Sequence, residues 1–201
     1  MRNIRRQQRV QISPKPALIG IDEVGRGCWA GPLLVVAARQ TGELPAGLQD
    51  SKVLSKKRRE SLFYDIQLSC DTGEGWVAPA EIDKYGLAQA MRLGTARALK
   101  ALKAAASEHI IFDGNTNYCD AAYKNVQAII DADALHPVVS AASVYAKVKR
   151  DRYMAGLPAK YAGYEFERHA GYGTRLHHDL IKLYGVSDLH RKSYAPVKAL
   201  L

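Results

Sequence analysis

Three short apolar runs, each closed by acidic residues, constrain the fold of this chain more than any other feature. The first ends in Asp22 and Glu23, the second in Asp113, and the third is followed by Asp131 and Asp133. An apolar run bounded by turn residues is typical of a buried strand, and open α/β sheets commonly place their sites where strands end. If these strands are neighbours, the acids converge at one edge of a sheet.

The remaining segments predict the elements that surround these strands. Strands are predicted over residues 18–21, 32–38, 76–78, 109–112 and 126–130, and helices over residues 81–106, 140–154 and 176–184. A further helix is predicted to begin near Ser55, a candidate N-cap, and the first long helix to break at Gly86. The resulting order, β-β-α-β-α-β-β-α-α, predicts an α/β domain with a mixed sheet.

The charge balance favours a polyanionic partner. The 201 residues are 47% hydrophobic, which is enough for a sizeable core, and their formal net charge is +9. Basic side chains displace counterions from phosphates, so nucleic acid is a natural partner, although solubility alone would explain part of the charge. We interpret residues 1–16 as a basic arm that either touches nucleic acid or is a frayed terminus.

Cysteine usage and the lack of long apolar segments indicate where the chain works. The three cysteines include no CxxC pair, which disfavours a disulfide framework and a zinc site. The start of the chain has no apolar signal region, and no run of about 18 apolar residues is present. We therefore expect a reducing, cytoplasmic location and no membrane partner.

The clustered acids indicate a metal-dependent chemistry. Carboxylates packed together repel one another and need a cation to stay ionised. Oxygen ligands select Mg²⁺ or Mn²⁺, and two such ions about 3.5–4 Å apart can clamp the attacking and leaving oxygens of a phosphodiester. The alternative is that each aspartate serves only a turn or a cap, and Asp113, followed by glycine and asparagine, fits a turn as well.

Three further segments are candidates for substrate binding. The Gly25–Gly27 segment allows a close backbone approach and presents Arg26 to a phosphate, or is simply a hairpin turn. Ser51 and Lys52 precede a helix N-terminus, which suits phosphate, or they are ordinary solvated residues beside a capped helix. Tyr172 lies between glycines and would stack on a sugar or base, or pack in its turn.

Six motifs in order give the chain a resemblance to a known family. They are GIDEVGRG (20–27), LQDSKVLSKKRR (48–59), FDGN (112–115), VSAASVYAKVKRD (139–151), HAGYGT (169–174) and HRKSYAPV (190–197). In these motifs the chain resembles the bacterial type 2 ribonuclease H enzymes, ribonuclease HII. The resemblance is collinear over about residues 18–197, nearly the whole chain.

The resemblance implies both a fold and an activity. The fold would be ribonuclease H-like, a central mixed β-sheet flanked by helices, within one domain over residues 17–201 that includes a small C-terminal helical region from about residue 155. The activity would be metal-dependent endonucleolytic cutting of the RNA strand of RNA–DNA hybrids and cutting at single ribonucleotides embedded in duplex DNA. Ribonucleotide removal and RNA primer removal would be its roles in replication and repair.

The resemblance also assigns residues to the site. The acids that hold two ions would be Asp22, Glu23, Asp113 and Asp133, with Asp133 chosen over Asp131 by its distance to Ser140. The substrate-binding residues would be Gly25, Arg26, Gly27, Ser51, Lys52, Asn115, Tyr172 and Arg191. Arg26 and its glycines would sense the ribose 2′-OH, which distinguishes RNA from DNA, and Tyr172 would stack on the next deoxyribose.

Departures from the family pattern limit what is carried over. Cys28 and Trp29 stand where a proline usually follows the glycine-arginine-glycine, and Ala170 stands where a lysine is common. The chain stops at Leu201, so we expect no sliding-clamp motif, and we expect a monomer. Two rival classes stay open: a nuclease of the same fold that acts on DNA alone, and a non-catalytic basic module that binds nucleic acid without turnover.

Overall fold

A five-stranded mixed sheet organises the protein. The computed structural model describes residues 18–157 and 159–201, and the predicted arm over residues 1–16 lies outside the described residues. The strands are β1 (Leu18–Val24), β2 (Leu33–Gln40), β3 (Cys70–Val77), β4 (His109–Asp113) and β5 (Val126–Ile129), in the spatial order β3-β2-β1-β4-β5. Strand β2 pairs antiparallel with β1 and β3, whereas β1, β4 and β5 are parallel. The α/β class with a mixed sheet is confirmed.

Helices cover both faces of the sheet. They are α1 (Lys56–Ser69), α2 (Pro79–Tyr85), α3 (Leu87–Leu102), α4 (Ala132–Leu135), α5 (Pro137–Ala155), a 3-10 helix (Ala159–Tyr164), α6 (Phe166–His169), α7 (Arg175–Tyr184) and α8 (Ala195–Lys198). The Ser55 side chain accepts a hydrogen bond from the Arg58 N–H, as predicted for an N-cap, and Gly86 separates α2 from α3. The short helices α4, α6 and α8 were not predicted.

The core has two layers, because β2 is buried on both faces. Helices α1 and α5 pack with one face of the sheet and α3 with the other. Helix α5 lies directly on β1: a Cβ atom at Gly20 would be 2.6 Å from the Val138 backbone. A smaller apolar cluster, which includes Met154, Phe166 and Leu189, joins the end of α5 to the C-terminal helices.

The strand register brings the acidic strand ends together. Ile21 of β1 lies opposite Phe112 of β4, so Asp22 and Asp113 follow side by side at the carboxyl edge of the sheet. Asp113 in turn lies opposite Ile129 of β5, and α4 begins three residues later. The sequence predicted convergence only if these strands were neighbours, and they are. Among the described residues, no helix is long and apolar enough to cross a membrane.

Candidate active site

The acids occupy one end of the parallel strands. Asp22 is 8% exposed, and its Oδ1 accepts a hydrogen bond from the Glu23 N–H at 2.7 Å. Asp113 Oδ1 accepts from the Ala132 N–H at 2.8 Å, which ties the end of β4 to the first residue of α4. Asp133, half-buried on α4, is therefore held near Asp113.

Of the two acids that follow β5, Asp133 is the one whose carboxyl group feels the charge of Asp113. Burial raises the pKa of Asp133, and the negative charge of Asp113 raises it further. Asp131 is exposed at the N-cap position of α4 with a φ of 55°. Its place is that of a helix-starting residue.

The site carries more negative charge than its protein surroundings balance. Burial raises the pKa of Asp22 to about 8, and the charges of Glu23 and Asp113 add to the rise. Burial also raises the pKa of Glu23, although Arg26 and Lys52 oppose the rise. Within residues 18–157 and 159–201, no three acidic, histidine or cysteine side chains form a ready-made metal cage. The acids offer only carboxylate oxygens as donors.

The Gly25–Gly27 loop follows these acids and leaves space beside them. Gly25 has a φ of 88°, and a Cβ atom there would lie 2.3 Å from Arg150 Nε. A Cβ atom at Gly27 would meet nothing within 4 Å, so this glycine borders open space. Arg26 is exposed, with NH1 3.7 Å from Glu23 Oε1 and NH2 donating to the Tyr118 hydroxyl at 3.4 Å.

Two buried arginines hold this loop from behind. Arg191 is fully buried; its Nε and NH2 donate to the Gly31 carbonyl at 3.1 and 2.9 Å, and its NH1 donates to the Arg26 carbonyl at 3.0 Å. The prediction that Arg191 contacts substrate therefore requires correction, because a residue with no exposed surface supports the loop instead. Arg150 similarly donates to the carbonyls of Ala30, Pro32 and Ala170.

The predicted phosphate-binding pair lines the same cleft as that loop. Ser51 is buried, and its Oγ accepts a hydrogen bond from Ser143 Oγ at 3.0 Å, while Lys52 is exposed. Arg59 donates to the Ser51 carbonyl at 2.8 Å and fixes the loop. Asn115 is exposed beside Asp113, and its Oδ1 accepts from Thr116 Oγ1 at 2.9 Å.

Tyr172 presents a partly open ring to the same cleft. Its exposed fraction is 38%, and Lys147 Nζ lies 5.2 Å from the ring centroid. The Trp29 ring fills the space beside Gly173, where a Cβ atom would lie 2.2 Å from Trp29 Cε2. Trp29, from the segment in which a proline is usual, therefore packs its ring against the Tyr172 loop.

One cleft of about 470 Å³ collects most of these groups. Its lining consists of Asp22, Glu23, Val24, Gly25, Arg26, Gly27, Ser51, Lys52, Asp113, Ser143, Lys147 and Tyr172. Asp133, Asn115 and Arg191 are not part of this lining. A larger cleft of about 870 Å³ between α1, β3 and α5 contains none of the predicted site residues.

Sequence reasoning missed two polar residues of the cleft, Ser143 and Lys147. Both belong to α5 and are four residues apart, so they lie on the same side of the helix. The i, i+4 spacing from a serine within the VSAASVYAKVKRD motif was the available signal.

The carboxyl edge of a mixed sheet, carrying buried acids beside exposed cations and a partly open aromatic ring, defines a divalent-metal-dependent nuclease class. The family model for ribonuclease HII matches residues 19–197. A ribonuclease HII of Campylobacter concisus is 46% identical over 178 residues, which cover 88% of this chain and 92% of that protein. This chain belongs to the ribonuclease HII family.

Solved structures agree with that assignment. The ribonuclease HII of Archaeoglobus fulgidus, determined in complex with PCNA, is similar with a TM-score of 0.73 and 27% identity, over 89% of this chain and 95% of that one. The ribonuclease H2 of Pyrococcus horikoshii OT3 has a TM-score of 0.72 and 27% identity, over 92% of this chain and 96% of that one. The protein is therefore an endoribonuclease that acts on RNA in RNA–DNA hybrids and depends on a divalent metal.

Proposed function

We propose that the protein incises duplex DNA on the 5′ side of a single embedded ribonucleotide, leaving 3′-hydroxyl and 5′-phosphate ends. It would also cut the RNA strand of longer hybrids, and so remove misincorporated ribonucleotides and RNA primers in replication and repair. The observation that carries the proposal is one cleft that joins Asp22 and Asp113 to the Gly25–Gly27 loop and Tyr172. The cleft therefore brings together the acids that would cleave the phosphodiester and the groups that would contact the sugars on either side of it.

The donor set fits two Mg²⁺ or Mn²⁺ ions. Asp22, Glu23, Asp113 and Asp133 offer only carboxylate oxygens, the ligands that these cations prefer. The raised pKa values of Asp22, Glu23 and Asp133 mark negative charge that a cation would compensate. When bound, the ions would activate a water and stabilise the departing 3′-oxygen.

The remaining residues would bind and orient the substrate. Lys52 and Lys147 place positive charge at the cleft for backbone phosphates. Arg26 and the open space at Gly27 would admit a ribose whose 2′-OH meets the loop backbone. The Tyr172 ring would stack on the following deoxyribose, so a DNA nucleotide 3′ of the ribonucleotide is favoured.

A substrate panel tests the proposal. Labelled duplexes that are all DNA, that contain one ribonucleotide, or that pair RNA with DNA are incubated with Mg²⁺, Mn²⁺ or a chelator. We expect the single-ribonucleotide duplex to be cut once, on the 5′ side, only with metal. Cleavage of the all-DNA duplex would identify the DNA-specific rival, and binding without turnover would identify the non-catalytic one.

A further inference from the structure

Three buried histidines lie directly beneath the Tyr172 loop. His169, His177 and His190 are 7%, 0% and 1% exposed. The rings of His169 and His177 are stacked with centroids 4.3 Å apart, and His177 Nε2 lies 3.1 Å from His190 Nε2. Each ring also forms a hydrogen bond with a backbone group, so the three histidines form a hydrogen-bonded network and do not merely pack in the core.

The backbone partners define which nitrogen of each ring carries a proton. His177 Nδ1 lies 2.9 Å from the Tyr172 carbonyl, which only accepts, so Nδ1 is the donor and Nε2 accepts from His190 Nε2–H. His190 Nδ1 accepts from the Ser187 N–H at 2.9 Å. A chain of hydrogen bonds, here called the relay, therefore runs from Ser187 through His190 and His177 to the Tyr172 carbonyl.

His169 holds the other side of the same loop by the same logic. Its Nδ1 accepts from the Gly171 N–H at 3.2 Å, while its Nε2 donates to the Tyr164 carbonyl at 2.9 Å. The Gly171 carbonyl accepts from the Trp29 N–H at 2.8 Å, which joins the loop to the segment after Gly27. Backbone groups on either side of the Tyr172 side chain are thus fixed by histidine.

We propose that His177 is a positioning residue for substrate selection, acting through the Tyr172 carbonyl with His190 and Ser187 fixing its tautomer. The proposal rests on the proposed role of Tyr172 at the deoxyribose 3′ of a ribonucleotide. The relay exists only while His177 and His190 are neutral, because protonating either ring places two N–H donors face to face.

The surroundings favour neutral rings. Phe166 packs edge-on against His169 and His177, and Trp29 packs beside His177. The charged groups that act on the cluster from neighbouring elements are Glu165, Glu167, Arg168 and Asp188. Burial lowers the pKa of His177 and of His190 to about 4 despite the acids. At neutral pH the relay is therefore complete.

Two isosteric variants separate positioning from simple packing. In His177→Asn the amide nitrogen replaces Nδ1 and retains the bond to Tyr172, while the bond to His190 is lost. In His177→Gln the amide reaches His190, and the bond to Tyr172 is lost. We expect His177→Gln to raise KM for a single-ribonucleotide duplex about tenfold more than His177→Asn, about the strength of one hydrogen bond, with kcat little changed.

The background variant Tyr172→Ala shows whether the effect passes through Tyr172. We expect Tyr172→Ala to raise KM and to abolish the difference between the two His177 variants. Equal KM values for the two His177 variants, or a difference that persists in Tyr172→Ala, would overturn the inference about His177 and leave the proposed role of Tyr172 intact. An unchanged KM in Tyr172→Ala itself would overturn the proposed role of Tyr172, and the inference with it.

A measurement on the wild-type protein depends neither on whether a variant folds nor on an activity assay. ¹⁵N-edited spectra of the histidine rings at pH 7 should show His177 protonated on Nδ1, and His169 and His190 protonated on Nε2. Observation of the opposite tautomer at His177, or of a charged ring, would contradict the relay.

Discussion

At the scale of single residues, Asp22 lowers the stability of the metal-free fold, and its position is explained by the site. A carboxylate that is 8% exposed beside two further acids loses hydration without a protein cation in contact. Because the unfolded chain hydrates Asp22 fully, this residue destabilises the metal-free fold. Its place at the end of β1 is explained by the site and not by packing.

We expect Asp22→Asn to raise the Tm of the metal-free protein and to remove cleavage. The activity loss should exceed the roughly 10–100-fold typical of residues that only support a metal ligand. Calorimetry in chelator and a Mg²⁺ cleavage assay measure the two effects. Asp131→Asn is the matched control and should retain activity, since Asp131 is exposed at a helix start. Retained activity in Asp22→Asn would contradict the site.

The two positions that flank Arg26 are occupied by glycine for different physical reasons, although both belong to the GIDEVGRG motif. Gly25→Ala places a Cβ atom 2.3 Å from Arg150 Nε at a φ of 88° and should cost about 1–3 kcal/mol of stability. Gly27→Ala meets no protein atom, so stability should change by less than about 0.5 kcal/mol. Urea unfolding tests both expectations.

Gly27→Ala should nevertheless weaken substrate binding, because the added methyl group occupies the open space beside the cleft. A binding assay with an uncleaved ribonucleotide duplex in chelator measures this effect. If Gly27→Ala binds as tightly as wild type, then the open space at Gly27 does not receive the substrate.

At the scale of elements, short apolar runs were predictable as strands, whereas the glycine-rich first part of β3 was not. Residues 109–112 and 126–130 were predicted as strands almost as they occur in β4 and β5. Strand β3 was predicted only over residues 76–78, because its first part contains Gly73 and Gly75. These glycines exist to admit α3: a Cβ atom at Gly75 would lie 1.8 Å from the Gly94 carbonyl oxygen. Such a reason is tertiary and leaves no local signal.

Gly75→Ala should therefore destabilise the protein through the contact between β3 and α3. Overpacking of this kind costs about 1–3 kcal/mol, because backbone must move. Gly42→Ala is the control, since a Cβ atom there would be 3.6 Å from Ser69 Cα, an ordinary contact. Chemical denaturation compares the two, and equal midpoints would show that α3 shifts away without cost.

At the scale of the whole molecule, the motifs predicted which residues matter, and the three-dimensional arrangement decided how they act. Asp22, Asp113 and Tyr172 were named from sequence and lie in one cleft. Arg191 was named with them, yet its guanidinium serves backbone carbonyls inside the fold. A charged residue in a motif carries no mark that distinguishes a ligand from a support, since burial emerges only when β1, α5 and the C-terminal segment pack together.

The same packing predicts an acid sensitivity of folding. The folded-state pKa of His177 and of His190 is lowered to about 4 by burial, whereas unfolded histidine titrates near 6.5. The unfolded chain therefore binds more protons between these values, so the stability present above pH 6.5 is lost as the pH falls toward 4. The loss should reach about 3 kcal/mol for each of the two histidines.

Asp22 acts in the opposite direction, because burial raises its pKa to about 8 and its destabilising effect grows as the pH rises from about 4 to that value. The measurement is therefore the difference in the free energy of unfolding between wild type and His177→Asn, obtained by urea unfolding in chelator from pH 4 to 8. Both proteins retain Asp22, so its contribution cancels. We expect the wild-type advantage to be largest above pH 6.5 and to shrink toward pH 4, since asparagine does not titrate. A difference that stays constant with pH would mean that folding does not lower the pKa of His177, and would contradict the burial of this ring in its neutral form.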